Sequence, residues 1–428
     1  MNQKLEEFNK YLIEKNVAII GLGVSNLPLL KYMNKKGANV TVFDDREETS
    51  IPKEALQEVQ RYDIPHFFGK SCLDNLKGFD IIFRSPSCMP TKKELVKEET
   101  RGAIVTTEIE MLMKLCPGTV IGVTGSDGKT TTTSIIYEIV KTAGYKCYLG
   151  GNIGTPLFTK LGEMEEKDIV VLELSSFQLM NMSVSPKISV ITNISPNHLN
   201  VHSSYEEYIE AKENIYKHQD RDGIVVLNYD NDITRKLAKK AEGQVVLFSR
   251  KTKLEDGIIV DGNMIKECND RVRRHVISSE NIHLRGMHNY ENICAAIAAT
   301  KSLTDIDTQI KAIKNFRGVE HRIEFVREIE GVKWYNDSIG TSPTRTMAGL
   351  SSFEEKIILI AGGYDKHLDY EQLAKPILDN VRVLILMGQT AEKIFVEVKK
   401  ESEKERNRNI NIYVWNTRGY CKNGKESC

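Results

Sequence analysis

Lys129 and Thr130 close a glycine-bearing turn, Gly122-Val-Thr-Gly-Ser-Asp-Gly-Lys-Thr-Thr-Thr-Thr133, whose order of residue types suits phosphate binding. Gly125 and Gly128 permit close backbone approach on either side of Ser126 and Asp127. Lys129 would reach β- and γ-phosphates, and the hydroxyl of Thr130, followed by Thr131, would meet Mg²⁺. Apolar Val120, Ile121 and Val123 lead in as a strand, and Ile135, Ile136, Ile139 and Val140 follow at helical spacing. The turn therefore opens a helix, where backbone N–H groups lack intrahelical partners and the macrodipole presents its positive end. The strict pattern G-x-x-x-x-G-K-[ST] wants glycine where Val123 stands, so the cradle is a variant, Thr-Gly-Ser-Asp-Gly-Lys-Thr. A fortuitous glycine-rich turn is the competing reading, and strand, turn, lysine, hydroxyl and helix in that order outweigh it.

Further polar residues cluster at the ends of the strands that follow. Gly150-Gly-Asn-Ile-Gly154 carries Asn152, Glu173-Leu-Ser-Ser-Phe-Gln178 carries an acid and Ser175, and Asn193-Ile-Ser-Pro-Asn-His198 ends in an imidazole. The last two leave predicted strand ends at the carboxyl edge, where open α/β sheets bind ligands, and the first is a glycine-rich turn with one amide. Glu173 offers a hard oxygen and His198 a nitrogen, and with Thr130 they could complete a Mg²⁺ shell around ATP phosphates. A solvated surface position is the commoner fate of a lone Glu or His, but shared placement at successive strand ends favours function.

The elements that must position these groups alternate strand and helix. Val17 to Gly21, the turn Gly21-Leu-Gly-Val-Ser-Asn26, a helix from Pro28 and a strand Asn39 to Phe43 ending at Asp44 form a βαβ start. Its third glycine is replaced by Asn26, so nucleotide-sugar binding, dinucleotide binding and a purely structural turn all fit. Strands follow at Thr119, Ile169 to Leu174, Ile188 to Asn193 and Ile224 to Asn228, which predicts a parallel sheet covered by helices. A third unit from Gly318 has strands at Ile323 to Ile329, Val332 to Asn336, Lys356 to Ala361 and Val381 to Met387, with helices from Pro343 and near Tyr370 to Leu378.

The 428 residues suggest about three domains. The expected boundaries are 1–115, 116–317 and 318–428, in an α/β class: Rossmann-like, parallel-sheet P-loop ATPase-like, and an incomplete Rossmann-like unit. Fifty-nine basic and 59 acidic residues cancel, so no global field favours nucleic acid or an anionic membrane. The eight cysteines form no C-x-x-C pair, which suits free thiols in a reducing compartment. No signal-like leader or apolar run of about 18 residues is present, so the expectation is a cytoplasmic protein.

The cradle, Gly150-Gly-Asn-Ile-Gly154, Glu173-Leu-Ser-Ser-Phe-Gln-Leu179 and Asn197-His-Leu199, in this order, resemble the Mur ligases of peptidoglycan synthesis, from about Val17 to Asn411. Glu173 to Leu179 and Asn336-Asp-Ser338 are most similar to the branch that adds D-glutamate to UDP-N-acetylmuramoyl-L-alanine. The resemblance implies ATP-dependent amide formation, in which the substrate carboxylate takes the γ-phosphoryl group and the D-glutamate amine attacks the acyl phosphate. It implies that Lys129 and Thr130 hold phosphates and a first Mg²⁺ with Glu173, and that His198 ligates a second. Ala211-Lys-Glu-Asn214 matches a segment whose lysine is carbamylated, so Lys212 would become an oxygen ligand; a solvated helix lysine is the bland alternative.

His288-Asn-Tyr-Glu-Asn292 matches the adenine segment and places Asn289 and Asn292 on one helix face, where amides can pair with a purine. Helix capping is the alternative for Asn289. Arg322 would meet the γ-phosphate. Asp337 and Thr341 lie in Asn336-Asp-Ser-Ile-Gly-Thr-Ser-Pro343, where Ile339 replaces the family's lysine and removes a cation. Lys366 would bind the D-glutamate carboxylate, and Ser25 and Asp44 match positions around the UDP end, with Asn152 and Ser175 as further substrate contacts. Ser85-Pro-Ser87 stands where the family has Ser-Pro-Gly. A monomer is expected. The alternatives are another Mur or folylpolyglutamate-type ligase and a non-catalytic nucleotide-binding protein.

After Ile412 the family pattern calls for an amphipathic helix, a strand and a Ser-Pro-Ala-Cys-Ala-Ser-Phe-like segment. Trp415 to Cys428 are instead polar and glycine-bearing, with no helical or alternating period. A shifted reading frame would account for this, because permitted codons read one base later can spell an amphipathic helix. The expectations are an uncovered sheet edge, intact ATP binding and severely weakened ligation.

Overall fold

The computed structural model describes residues 2–196, 201–269, 272–284, 286–365, 368–404, 410–415 and 421–423. His198 and Lys366 lie outside them. The chain divides into two compact units, Met1–Asn281 with Tyr290–Asn315, and Ile282–Asn289 with Phe316–Cys428.

The first unit holds two sheets. Strands β1 (Asn16–Ile20), β2 (Asn39–Asp44), β3 (His66–Phe68), β4 (Ile81–Arg84) and β5 (Ile104–Thr106) form a parallel sheet in the order β3-β2-β1-β4-β5. The second sheet comprises β6 (Thr119–Thr124), β7 (Cys147–Gly151), β8 (Ile169–Glu173), β9 (Ile188–Ile191), β10 (Ile224–Asn228), β11 (Gln244–Ser249), β12 (Gly257–Asp261), β13 (Met264–Asn269) and β14 (Val272–Ser278). Its order is β14-β13-β12-β11-β10-β9-β6-β8-β7. The run from β7 to β12 is parallel, as the unbroken apolar stretches Ile169–Glu173 and Ile188–Ile191, buried along their length, require of central strands. The antiparallel extension β12-β13-β14 was not read from the sequence.

The two sheets share one buried core, in which the Phe158 ring meets Tyr32 edge-on at 5.3 Å and Phe83 at 6.4 Å. The helix Glu108–Leu115 belongs to this core and carries a buried carboxyl, Glu108, whose Oε1 accepts a hydrogen bond from Phe158 N at 3.2 Å. Burial, only partly offset by that bond, raises its pKa from 4.5 to about 7. The folded state therefore holds a proton that the unfolded chain releases, and stability falls as pH rises from 4.5 to about 7. Glu108→Gln is expected to stabilise by about 3 kcal/mol at pH 8 and negligibly at pH 4, measured by urea denaturation at both values. An equal change at the two pH values would contradict a proton held at Glu108.

The second unit contains the hairpin β15 (Glu324–Ile329) and β16 (Val332–Asn336) and a sheet of β17 (Ile357–Gly363), β18 (Val381–Gly388), β19 (Asn411–Trp415) and β20 (Cys421–Asn423). Helices Pro343–Leu350, Glu371–Asn380 and Ala391–Lys404 pack Leu350, Ile377 and Ile394 with Leu384 and Leu386 of β18. One expectation is corrected here. The polar tail supplies a short strand after all, because β20 runs antiparallel to β19 and pairs residues 421–423 with 413–415, and β20 then forms the edge of the sheet. Ladder pairing needs only backbone donors and acceptors, so it can form where side chains show no alternation.

Candidate functional site

The glycine-bearing turn follows β6 and caps the helix Lys129–Thr142, as its residues demand. Gly128 is the N-cap at φ +79°, a left-handed conformation, and Gly125 sits at φ +150°. A side chain at Gly125 would collide with Thr192 Oγ1, and one at Gly128 with Asn292 Oδ1. The loop is tied to the segment after β9: Ser126 N donates to Asn193 O at 2.9 Å and Asp127 N to Asn193 Oδ1 at 3.0 Å. Asn193 Nδ2 and Thr192 Oγ1 both donate to Asp127 O, at 3.1 and 2.5 Å. Ser126 is buried, its Oγ 2.9 Å from Ser195 O and 3.0 Å from Tyr208 OH. Thr130 is half-buried in the first turn, and Thr131 is buried.

Two lysines converge on one carbonyl. Lys129 Nζ donates to Gly125 O at 2.8 Å and to Ser126 O at 2.9 Å. Lys212, on the helix Tyr205–Glu213, donates from Nζ to the same Gly125 O at 2.9 Å and to Thr124 Oγ1 at 3.3 Å. Lys212 is only 1 % exposed, with Nζ 4.7 Å from the centre of the Tyr208 ring. Burial, and then the Lys129 charge, push its pKa well below the ordinary lysine value. The solvated helix lysine considered from sequence is thus excluded.

Glu173 ends β8 and is 2 % exposed. Its Oε1 accepts from Asn152 Nδ2 at 2.8 Å, while Oε2 is buried with no hydrogen-bond partner. An orphaned carboxylate oxygen beside a phosphate loop is a donor suited to a hard cation, so the residues fit Mg²⁺. Among the described residues no cluster of three or more His, Cys, Asp or Glu forms a ready metal cage. Ser175 has a structural duty: it caps the helix Ser176–Leu179 in a reciprocal box with Gln178.

Asn292 is buried and its Oδ1 accepts from Thr132 Oγ1 at 3.3 Å, beside Gly128. Asn289 is buried on the same helix, Met287–Thr300. Asp44 is buried and heavily engaged: Oδ2 accepts from Leu22 N at 2.8 Å and Arg46 Nη2 at 2.7 Å, and Oδ1 from Arg46 N and Nε. Burial raises its pKa, but Arg46 and the backbone donors outweigh it and hold the carboxyl below the usual range. Ser25 is half-buried at the start of the helix Asn26–Lys35, with no side-chain cap bond.

In the second unit Asp337 is half-buried and its Oδ1 accepts from Ile323 N at 3.2 Å. Burial raises its pKa against the pull of that bond and of Arg322 and Arg345. Arg345 Nη1 donates to Ile339 O at 3.3 Å, so a cation stands beside the position where Ile339 replaces lysine. Thr341 is exposed.

Sequence reasoning missed Arg345, Thr192, Tyr208 and His202. Tyr208 was legible in principle, since it precedes Lys212 by four residues on one helix face. His202 is distant in sequence from everything it touches except the helix it precedes.

Three family models cover most of the chain: "Mur ligase MurD-like, N-terminal domain" at residues 15–107, "Mur ligase middle domain" at 123–300 and "Mur ligase, glutamate ligase domain" at 321–416. The UDP-N-acetylmuramoylalanine--D-glutamate ligase of Acetivibrio thermocellus is 49% identical over 402 residues, spanning 94% of this chain and 86% of the relative. That of Clostridium novyi is 48% identical over 394 residues, 92% of this chain and 85% of the relative. Among solved structures, the UDP-N-acetylmuramate-alanine ligase MurC of Thermotoga maritima has a TM-score of 0.59 at 19% identity, covering 94% of this chain and 90% of that one. MurF of Acinetobacter baumannii has a TM-score of 0.57 at 16% identity, covering 96% and 83%. These structures share the fold.

Proposed function

The chain belongs to the Mur ligase family, and from that premise we propose that it joins D-glutamate to UDP-N-acetylmuramoyl-L-alanine at the expense of ATP. The substrate carboxylate attacks the γ-phosphorus and ADP leaves. The D-glutamate amine then attacks the acyl carbon, expels inorganic phosphate and loses a proton as the amide forms. Lys129 and the N–H groups that open its helix hold the β- and γ-phosphates and spread the charge that builds during transfer. Mg²⁺, when bound, would neutralise phosphate charge and polarise the γ-phosphoryl group, held by Thr130, Glu173, His198 and Lys212.

Two observations carry this reading: a buried Glu173 oxygen without a hydrogen-bond partner at the end of the strand beside β6, and a Lys212 that is 1 % exposed with Nζ on Gly125 O of the turn that follows β6. A neutral amine adds to CO₂, releasing a proton and leaving a carbamate, and that product is an oxygen donor where a cation would repel the metal. For Asn289, Asn292, Arg322, Asp337 and Thr341 we propose the nucleotide- and substrate-binding roles that family membership implies, for Lys366 the D-glutamate carboxylate, for Ser25 and Asp44 the UDP end, and for Asn152 and Ser175 further substrate contacts. A cytoplasmic monomer with domains 1–115, 116–317 and 318–428 completes the proposal.

The test is phosphate release from ATP. It is expected to require both UDP-N-acetylmuramoyl-L-alanine and D-glutamate, with the ligated product seen by mass spectrometry. Release indifferent to D-glutamate, or ATP binding with no release, would sink the proposal in favour of a nucleotide-binding protein.

A further inference from the structure

His202 is 2 % exposed and belongs to none of the groups assigned above. Its Nε2 lies 3.0 Å from Ser176 Oγ, in the turn that leaves Glu173, while Nδ1 is buried without a hydrogen-bond partner and stays 3.8 Å from Glu207 Oε2. The ring stacks on Phe177, centroids 5.3 Å apart and 12° from parallel, and meets the Tyr208 ring edge-on at 5.2 Å. Tyr208 in turn carries Lys212 Nζ over its ring and reaches Ser126 through its hydroxyl. One imidazole therefore bridges the strand end that bears Glu173 and the helix that bears Lys212. A packing role alone would be met by an apolar ring at less cost, because a buried nitrogen left unpaired is unfavourable.

We propose that His202 is a positioning residue for ligation, setting the spacing between Glu173 and Lys212 through Ser176 and Tyr208. The inference rests on the ligase reading. The Thr192 and Asn193 bonds hold the phosphate loop independently of His202, so its loss should disturb the geometry of phosphoryl transfer and leave ATP binding alone.

The test uses the full chain and steady-state ligation. His202→Phe keeps the stacked ring and removes both nitrogens, and should lower kcat about tenfold or more with KM for ATP within about twofold. His202→Gln restores a nitrogen near Ser176 and should recover most of that kcat. Ser176→Ala should reproduce the loss, and the double variant His202→Phe with Ser176→Ala should lose little more, since both changes remove one interaction. Thermal unfolding of each variant provides the control. Parent-like kcat in His202→Phe, additive losses, or a loss that tracks Tm across all three variants overturns the inference; if His202→Phe does not fold, Ser176→Ala and His202→Gln decide it by the same kcat comparison. A parent chain that fails to ligate overturns the ligase reading instead, which keeps the two failures distinct.

Discussion

Lys129→Ala is expected to lower substrate-dependent phosphate release by about a hundredfold to a thousandfold, the usual cost of removing one preorganised donor from a developing charge. Lys129 already lies against the loop, its Nζ on the carbonyls of Gly125 and Ser126, so little reorganisation separates it from bound phosphates. Both kcat and ATP affinity should fall, because the ammonium meets phosphate oxygens before and during transfer. The fold should survive, since the glycine conformations and the Thr192 and Asn193 bonds do not depend on the lysine. Turnover within about fivefold of the parent, read by a phosphate-release assay at saturating substrates, would remove Lys129 from the phosphate site.

Lys212→Met is expected to cost a comparable factor, about a hundredfold or more in kcat, while ATP binding by calorimetry stays within about threefold. Methionine fills similar space and cannot form a carbamate. The parent should lose activity in CO₂-depleted buffer and regain it with added bicarbonate, and the variant should respond to neither. Stability moves in the opposite sense. The folded-state pKa of Lys212 is depressed by burial and by Lys129, so below 10.5 the unfolded chain binds a proton that the folded state resists. Stability contributed at this site therefore rises with pH up to 10.5, and Lys212→Met should raise Tm at pH 7 more than at pH 10. Unchanged ligation, or a variant less stable than the parent at pH 7, would contradict this reading of Lys212.

Much of this site was legible in advance because its signals are local. A strand of Val120, Ile121 and Val123, glycines at Gly125 and Gly128 and a helical run from Lys129 specify a strand–turn–helix within about four residues of themselves, and the structure places each element where the periodicity put it. The same holds for β15 to β18, whose bounds fall within a residue or two of expectation. The antiparallel strands β12 to β14 escaped because Gly257 to Ser278 mixes apolar and charged residues without a clean alternation, and their pairing is decided by neighbours across the sheet. The strand β20 escaped for a similar reason, since its contribution is backbone pairing.

The amino-acid sequence by itself determined the α/β class, the glycine-bearing turn that opens a helix at Lys129, the strand end that carries Glu173, and the family likeness, since each depends on residue types at short fixed spacings. Only the tertiary structure decided what those residues experience. It brought Lys212 and Lys129 to one carbonyl across 87 residues of separation for the former, left one Glu173 oxygen buried and unpaired, occupied Asp44 with Arg46, set Arg345 beside Ile339 and drew His202 against Ser176. Charge state, desolvation and hydrogen-bond satisfaction depend on every atom packed around a group, and most of those atoms come from distant parts of the chain.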